Sequence, residues 1–435
     1  MSSAAPRPSP QATAVARGGG DSCPGSLRLH AADDGALARV RIPGGVLAVH
    51  QADALASAAR RLGDGELHLT SRGNVQIRGL DGDCAGELAG MLDTAGLLPA
   101  PSHERVRNVV ASPLSGLDDQ GRTDVRPWLV GLDAGLCAST GTRELSGRFL
   151  FALDDGRGDV AGLGADVTVR ATTSGDAQLA LGPSDIALRV RGEDVVQAVL
   201  TATEIFLTSA AASTSRAWRV DELAFPADDL VRSVADGLAD ARIGHALMDR
   251  EAAGADGPSP GVHGDSLSVH VPLGRLTGDQ WRELTRTAET QAGELRLTPW
   301  RGVVVPARVV VPARGLGPEA AAGVLARLAA SGLVTDPASG WLRVGACIGR
   351  PGCAKSHADV RADAARALRA GDAGLPVYWS GCERRCGRPR ATRADVVATP
   401  GGYHLSTDTP PSHGVELDDP SRLASALSAL TGHCG

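Results

Sequence analysis

Two stretches of the chain carry the same succession of apolar and polar positions. Residues 37–79 read LARVRIPGGVLAVHQADALASAARRLGDGELHLTSRGNVQIRG, and residues 267–307 read LSVHVPLGRLTGDQWRELTRTAETQAGELRLTPWRGVVVPA. Each opens with a period-two alternation, which predicts a strand, and the strand meets a proline, Pro43 or Pro272. Apolar positions three and four apart then predict a helix, and a glycine-bounded turn leads into the shared GEL-x-LT. An arginine, Arg72 or Arg301, precedes a second strand in each copy. A strand–helix–strand unit used twice implies two similar half-domains related by a pseudo-twofold axis.

A longer α/β segment follows each half-domain. The first spans 106–242, with strands predicted at 148–153 and 166–171 and a helix at 195–208. The second spans 309–435, with a helix at 318–331 and strands at 341–347, 377–380 and 394–398. The half-domains then occupy 21–105 and 243–308, and residues 252–265, rich in Gly and Pro, read as a linker inside the second. The first 20 residues, poor in apolar side chains, read as a disordered leader without a secretory signal. No apolar run reaches bilayer length on this reading, so the expected address is the cytoplasm and no membrane partner is expected. At 435 residues the chain accommodates two or three domains, and its formal net charge of −6 argues against a nucleic-acid partner. Lys355 is the only lysine, so surface cations are arginine by default and only patterned arginines carry weight.

Eight cysteines in a cytoplasmic protein are not a disulfide framework. Cys23, Cys84, Cys137 and Cys434 are scattered and read as buried small hydrophobes. The other four form two pairs, Cys347-x5-Cys353 and Cys382-x3-Cys386, each after a β-type run. Gly349, Pro351, Gly352 and Gly381 let the backbone fold closely about a bulky group. Four thiolates so placed suit a [4Fe–4S] cluster; structural zinc is the competing reading, although zinc knuckles favour shorter gaps. Rough alignment of the two α/β segments sets Ser112 and residues near 152–156 opposite the cysteines, so only the second segment has a metal site. No 2-His-1-carboxylate spacing stands out among His245, His263, His270, His357, His404 and His413, which read as surface histidines.

C-x5-C…C-x3-C resembles the cluster motif of the sirohaem-dependent sulfite and nitrite reductases. The repeat resembles the same family, which implies an α+β fold of two ferredoxin-like half-domains alternating with two cluster-type α/β domains. By that resemblance LTSRGNVQIRGL directs Arg72, Asn74, Gln76 and also Arg78 toward a tetrapyrrole, and Val106-Arg107-Asn108 adds Arg107 and Asn108. Arginines suit this, because the macrocycle's many carboxylates accept bidentate bonds worth roughly 1.5–3 kcal/mol each before desolvation. Arg301 in the second copy is a further candidate.

The chain departs from the reductases at 145–156. Where they place a lysine-bearing strand over a small oxyanion, this sequence has Ser146, Gly147, Arg148, Phe149 and Leu150, leaving Arg148 as the one cation. With CPG at 23–25, RFLFALDDGRGDV and TPWRGVVVP, the chain resembles the precorrin-3B synthases of aerobic cobalamin biosynthesis. That resemblance implies that the tetrapyrrole, precorrin-3A, is substrate. It is hydroxylated with O2 and closes a γ-lactone, with a [4Fe–4S] cluster and a non-haem iron associated with the activity. Electrons come from an external donor such as a ferredoxin or an NAD(P)H-dependent reductase, because no G-x-G-x-x-G follows a strand. Sirohaem is implied only in the alternative, an assimilatory nitrite or sulfite reductase.

Overall fold

A computed structural model describes residues 21, 23–212, 217–254, 256–307, 317–389, 393–407 and 414–431. The leader, Cys434 and His413 lie outside them. The chain divides into two compact units, one centred on Pro99–Gly257 and joined by Asp21 and Cys23, the other of Pro24–Leu98 and Pro258–Gly435.

The second unit contains the repeat. Gly35–Val40 pairs antiparallel with Val75–Leu80, and Ser266–His270 with Gly302–Pro306. Helices Val49–Leu62 and Gly278–Glu289 cover the two sheets, burying Ala52, Leu55, Ala58 and Ala59 from one and Trp281, Leu284 and Ala288 from the other. The second helix starts where its sequence says it should. Thr277 caps it by accepting the Gln280 N–H at 3.3 Å, and Gln280 returns the contact to the Thr277 N–H at 3.0 Å. The helices are stitched by the Trp281 Nε1–H, which donates to the Ala52 carbonyl at 2.9 Å.

The half-domains also exchange strands. Val46–Ala48 of the first pairs with Glu294–Leu297 of the second, and Arg275–Leu276 of the second pairs with Leu67–Leu69 of the first. Gly45 and Gly274 make the crossing possible, with φ of +72° and +70°. A Cβ on Gly45 would lie 1.9 Å from the Leu297 carbonyl oxygen, and one on Gly274 would lie 3.0 Å from that of Leu69. Both sheets therefore include a strand from the other copy, and one apolar core serves both.

The cysteine-bearing sheet of this unit runs Val344–Ala346, Val377–Ser380 and Ala394–Thr399 in parallel, then Gly402–Thr407 and Val415–Leu417 antiparallel. Helix Val360–Ala370, capped by the Asp359 carboxylate, connects the first two strands. The strand predicted from 341 is shorter, because Gly340–Arg343 forms a 3-10 turn.

The first unit repeats that topology. Val109–Ala111, Phe151–Asp154 and Val167–Ala171 are parallel, followed by Asp176–Leu181, Ile186–Arg191 and His245–Asp249 in antiparallel order. Three sequence expectations are corrected here. The boundary at 243 falls too early, since His245–Asp249 extends this sheet through Val190↔His245 to Ile186↔Asp249. This edge strand exposes Leu247, so its alternation is weak. The linker assigned to 252–265 is partly structured: Arg170 binds the Ala252 carbonyl at 2.7 Å, and Gly261–His263 forms a hairpin with Ser266–His270. The helix at 195 extends to Ala212 and, counted from Gly192, is long and apolar enough by length and composition to cross a bilayer. Within this unit it packs against helices Arg126–Ala138 and Ala227–Asp240, burying Ala198, Val199, Ala202 and Phe206.

Candidate functional site

Both cysteine pairs begin at the carboxyl ends of adjacent parallel strands, where open α/β sheets place their ligands. Cys347 follows Val344–Ala346, and Cys382 follows Val377–Ser380 by one glycine. The Gly381 N–H donates to Cys347 Sγ at 3.1 Å, and a side chain at Gly381 would collide with Ser356. Burial pushes the Cys347 thiol up, the Gly381 and Gly349 N–H groups oppose this, and the neighbouring Cys386 and Cys382 add to it. A metal bound there would have to displace the proton that burial favours, and the two N–H groups stabilise the thiolate that would take its place.

The spacing of the sulfurs bears on which metal centre fits. A tetrahedral zinc with Zn–S near 2.3 Å holds its sulfurs about 3.8 Å apart. Among the described residues, the four sulfurs do not form a group with ligand atoms within 4.8 Å of one another. Backbone N–H groups of Gly381 and Gly349 aimed at the Cys347 sulfur fit a thiolate-held cluster.

Residues from the first half-domain hold the loop. Arg78 donates to Asp34 through Nε and Nη2 at 2.8 and 2.7 Å, and Nη2 also reaches the Gly352 carbonyl at 3.1 Å. Asp33 accepts the Ala354 N–H. From helix Val360–Ala370, Arg361 donates to the Cys347 carbonyl at 3.3 Å and to His68 Nδ1 at 3.2 Å. Burial, then the charges of Arg301, Arg78 and Arg275, pushes Arg361 down to about 10, with Cys347 opposing. His68 is itself buried and held below its ordinary range, chiefly by burial, with Asp64 opposing. No sequence pattern points to His68 or Arg361, because they meet across segments 293 residues apart.

The tetrapyrrole candidates divide between the two units. In the second unit, Arg72 lies half-buried in the turn between Leu67–Leu69 and Val75–Leu80. Asn74 is buried and accepts the Ile42 N–H at 2.9 Å, so it braces the half-domain. Gln76, with its amide oxygen turned toward Arg39, accepts from that guanidinium at 2.6 and 3.2 Å. Arg78 is committed to Asp34 and the cysteine loop rather than directed at a macrocycle. Arg301 is not the structural counterpart of Arg72. Thr70 and Thr298 begin equivalent turns, closed by Thr70 N–H to Asn74 and Thr298 N–H to Gly302, both 2.9 Å. That register aligns Arg301 with Gly73, at φ +60° and +65°, and Arg72 with Trp300. An arginine in the left-handed region is uncommon and costs roughly 1 kcal/mol or more. Here it carries the guanidinium to Tyr378 and Gly345 of the cysteine-bearing sheet.

In the first unit, Arg107 is buried in a bidentate pair with Asp133 at 2.7 and 2.7 Å. Asn108 donates to the Phe149 carbonyl at 2.9 Å. Both side chains serve the interior of that unit, which corrects the expectation that they present themselves to a ligand. Arg148, expected on a strand, lies in the turn before Phe151–Asp154; it pairs with Glu222 at 3.1 Å and stacks over Trp218 at 5.7 Å. Leu150 is core. Two further expectations change. Cys23, Cys84 and Cys137 are half-buried rather than buried, and His270 is no surface residue, since burial and then Arg301 push it down to about 4.

Residues 30–94 and 260–330 match the nitrite/sulfite reductase ferredoxin-like half domain. The chain is 28% identical over 397 residues to a ferredoxin–nitrite reductase of Synechococcus elongatus, covering 83% of this chain and 75% of the relative. It is 26% identical over 401 residues to a precorrin-3B synthase of Sinorhizobium sp, covering 88% and 82%. The solved structure of the Mycobacterium tuberculosis NirA protein superposes with a TM-score of 0.67 at 18% identity, covering 91% of this chain and 80% of that one. By name the first of these relatives is a reductase and the second a synthase. The chain thus has the α+β nitrite/sulfite reductase fold, matches the ferredoxin-like half domain in two places, and is similar over most of its length to both precorrin-3B synthase and ferredoxin–nitrite reductase.

Proposed function

We propose that the chain is an oxygen-dependent hydroxylase of precorrin-3A, forming the γ-lactone of precorrin-3B with electrons relayed through a [4Fe–4S] cluster on Cys347, Cys353, Cys382 and Cys386. One atom of O2 enters the macrocycle and the other leaves as water, the balance being two electrons and two protons from an external donor such as a ferredoxin. When bound, the cluster supplies one-electron transfer, and the associated non-haem iron supplies O2 chemistry.

The carrying observation is Arg148. In the segment where oxyanion reduction needs several cations, this is the one basic side chain of residues 145–156, and Glu222 already neutralises it. Gly147 gives its N–H to Asp21 at 2.7 Å, and Leu150 faces the core. A segment with a single, neutralised cation supports an uncharged oxidant over nitrite or sulfite. Arg72 and Arg301 are the candidates for the substrate's carboxylates.

The test supplies the purified holoprotein with precorrin-3A, a reduced ferredoxin and isotopically labelled O2. Incorporation of one labelled oxygen atom supports the reading. A tetrapyrrole absorption spectrum in the resting protein, with nitrite or sulfite turnover and no labelled product, overturns it in favour of the reductase.

A further inference from the structure

The cations around the cysteine loops are mostly matched by acids. Arg78 has Asp34, Arg275 has Glu66, and Arg385 and Arg388 share Asp395. Arg361 differs. Its hydrogen-bond partners are the Cys347 carbonyl and His68 Nδ1, and among the described residues no carboxylate lies within ion-pair distance of it. His68 offers no charge compensation: by accepting at Nδ1 the imidazole is neutral, and its Nε2 lies 3.8 Å from Asp64. Helix Val360–Ala370 thus delivers a guanidinium to the backbone of a cysteine without supplying its counter-anion. A cation withdrawn from water in this way needs an opposite charge nearby.

We infer that Arg361 is the internal counter-cation of the thiolate-held centre and sets its reduction potential, with His68 as the positioning residue that holds the guanidinium against Cys347. This inference rests on the cluster reading above. Reduction adds one negative charge to the centre; a fixed cation beside a ligand stabilises that state and raises the potential. His68 fills the acceptor position that an acid would otherwise occupy, leaving the arginine's charge uncompensated beside the Cys347 backbone.

The experiment is a reductive titration of the holoprotein, followed by visible absorption and electron paramagnetic resonance, for wild type, Arg361→Gln and Arg361→Lys, with iron and sulfide counted in each. Arg361→Gln is expected to keep its cluster and to lose about tenfold in the reduction equilibrium, which is about 59 mV for one electron. Arg361→Lys is expected to restore most of that loss. An Arg361→Gln protein that holds its cluster at the wild-type potential overturns the inference. So does loss of the cluster in Gln and Lys variants alike, because the side chain then acts as a structural anchor and not through charge. Cluster loss in Gln with retention in Lys supports it. Absence of sulfide from the wild type would instead defeat the cluster reading itself.

Discussion

The two α/β sheets are built alike, three parallel strands followed by antiparallel ones, and differ in what fills the ends of the first two strands. In the second unit that place holds Cys347 and Cys382. In the first it holds Ser112, directly after Val109–Ala111, and Asp155, directly after Phe151–Asp154. The acids there form a closed network. Arg157 donates to Asp118 at 2.9 and 2.8 Å and to Asp155 at 2.9, 3.1 and 2.8 Å. Asp154 accepts the N–H groups of Gly156, Gly158 and Ala161. Ser112 donates to Asp159 at 2.6 Å. Carboxylate oxygens of Asp154, Asp155 and Asp159 lie within 4.8 Å of one another, yet with Arg157 and Arg170 alongside they need no metal. The same strand ends can thus be closed by ion pairs or left open as a ring of thiols. The lesson is that topology provides a place, and side-chain chemistry decides whether it becomes a metal centre.

The comparison is broken most sharply at the cysteines. Cys347→Ser or Cys382→Ser is expected to abolish sulfide binding and remove the cluster's iron, whereas no substitution in the acidic loop should change either; metal and sulfide analysis checks both. Next in size is Arg157→Ala, which strands two buried carboxylates and is expected to cost about 3–5 kcal/mol, read from denaturant unfolding of the first unit's transition. Asp159 sharpens the contrast through pH. Burial above all raises its carboxyl to about 7, against the opposing Ser112 hydrogen bond. The folded protein then keeps a proton that the unfolded chain has lost, so stability falls as pH rises from about 4 to about 7. Asp159→Asn should flatten that fall, an effect of about 2–4 kcal/mol seen in melting curves across this window. Asp34→Ala is expected to release Arg78 and the Gly352 loop for about 1–2 kcal/mol, with faster loss of the cluster's visible absorption in air. The last effect belongs to Arg72→Ala, which should weaken tetrapyrrole binding, as measured by fluorescence titration, while leaving iron and sulfide content intact.

Much of this contrast was legible in the sequence. The repeat announced itself through GEL-x-LT, and the cysteine spacing marked one α/β segment but not the other. The alignment of Ser112 with the first cysteine holds in the strand order. What escaped detection has physical causes. The exchanged strands Val46–Ala48 and Arg275–Leu276 are too short to show periodicity, and only their pairing across the repeat reveals them. The true register of Arg301 was hidden because an arginine stands where a left-handed turn ordinarily takes glycine. Arg107 looked like a carboxylate clamp, and it is one, but the carboxylate is Asp133 of the same unit. Arg361 and His68 meet across 293 residues, a separation over which no spacing rule operates.

Acid-labile sulfide per chain, measured on protein purified without air, tests the central claim most directly, because sulfide enters only through the cluster. About four sulfides per chain are expected, falling to none in Cys382→Ser. Zinc without sulfide, or about eight sulfides with half surviving in Cys382→Ser, would contradict a single centre on Cys347, Cys353, Cys382 and Cys386.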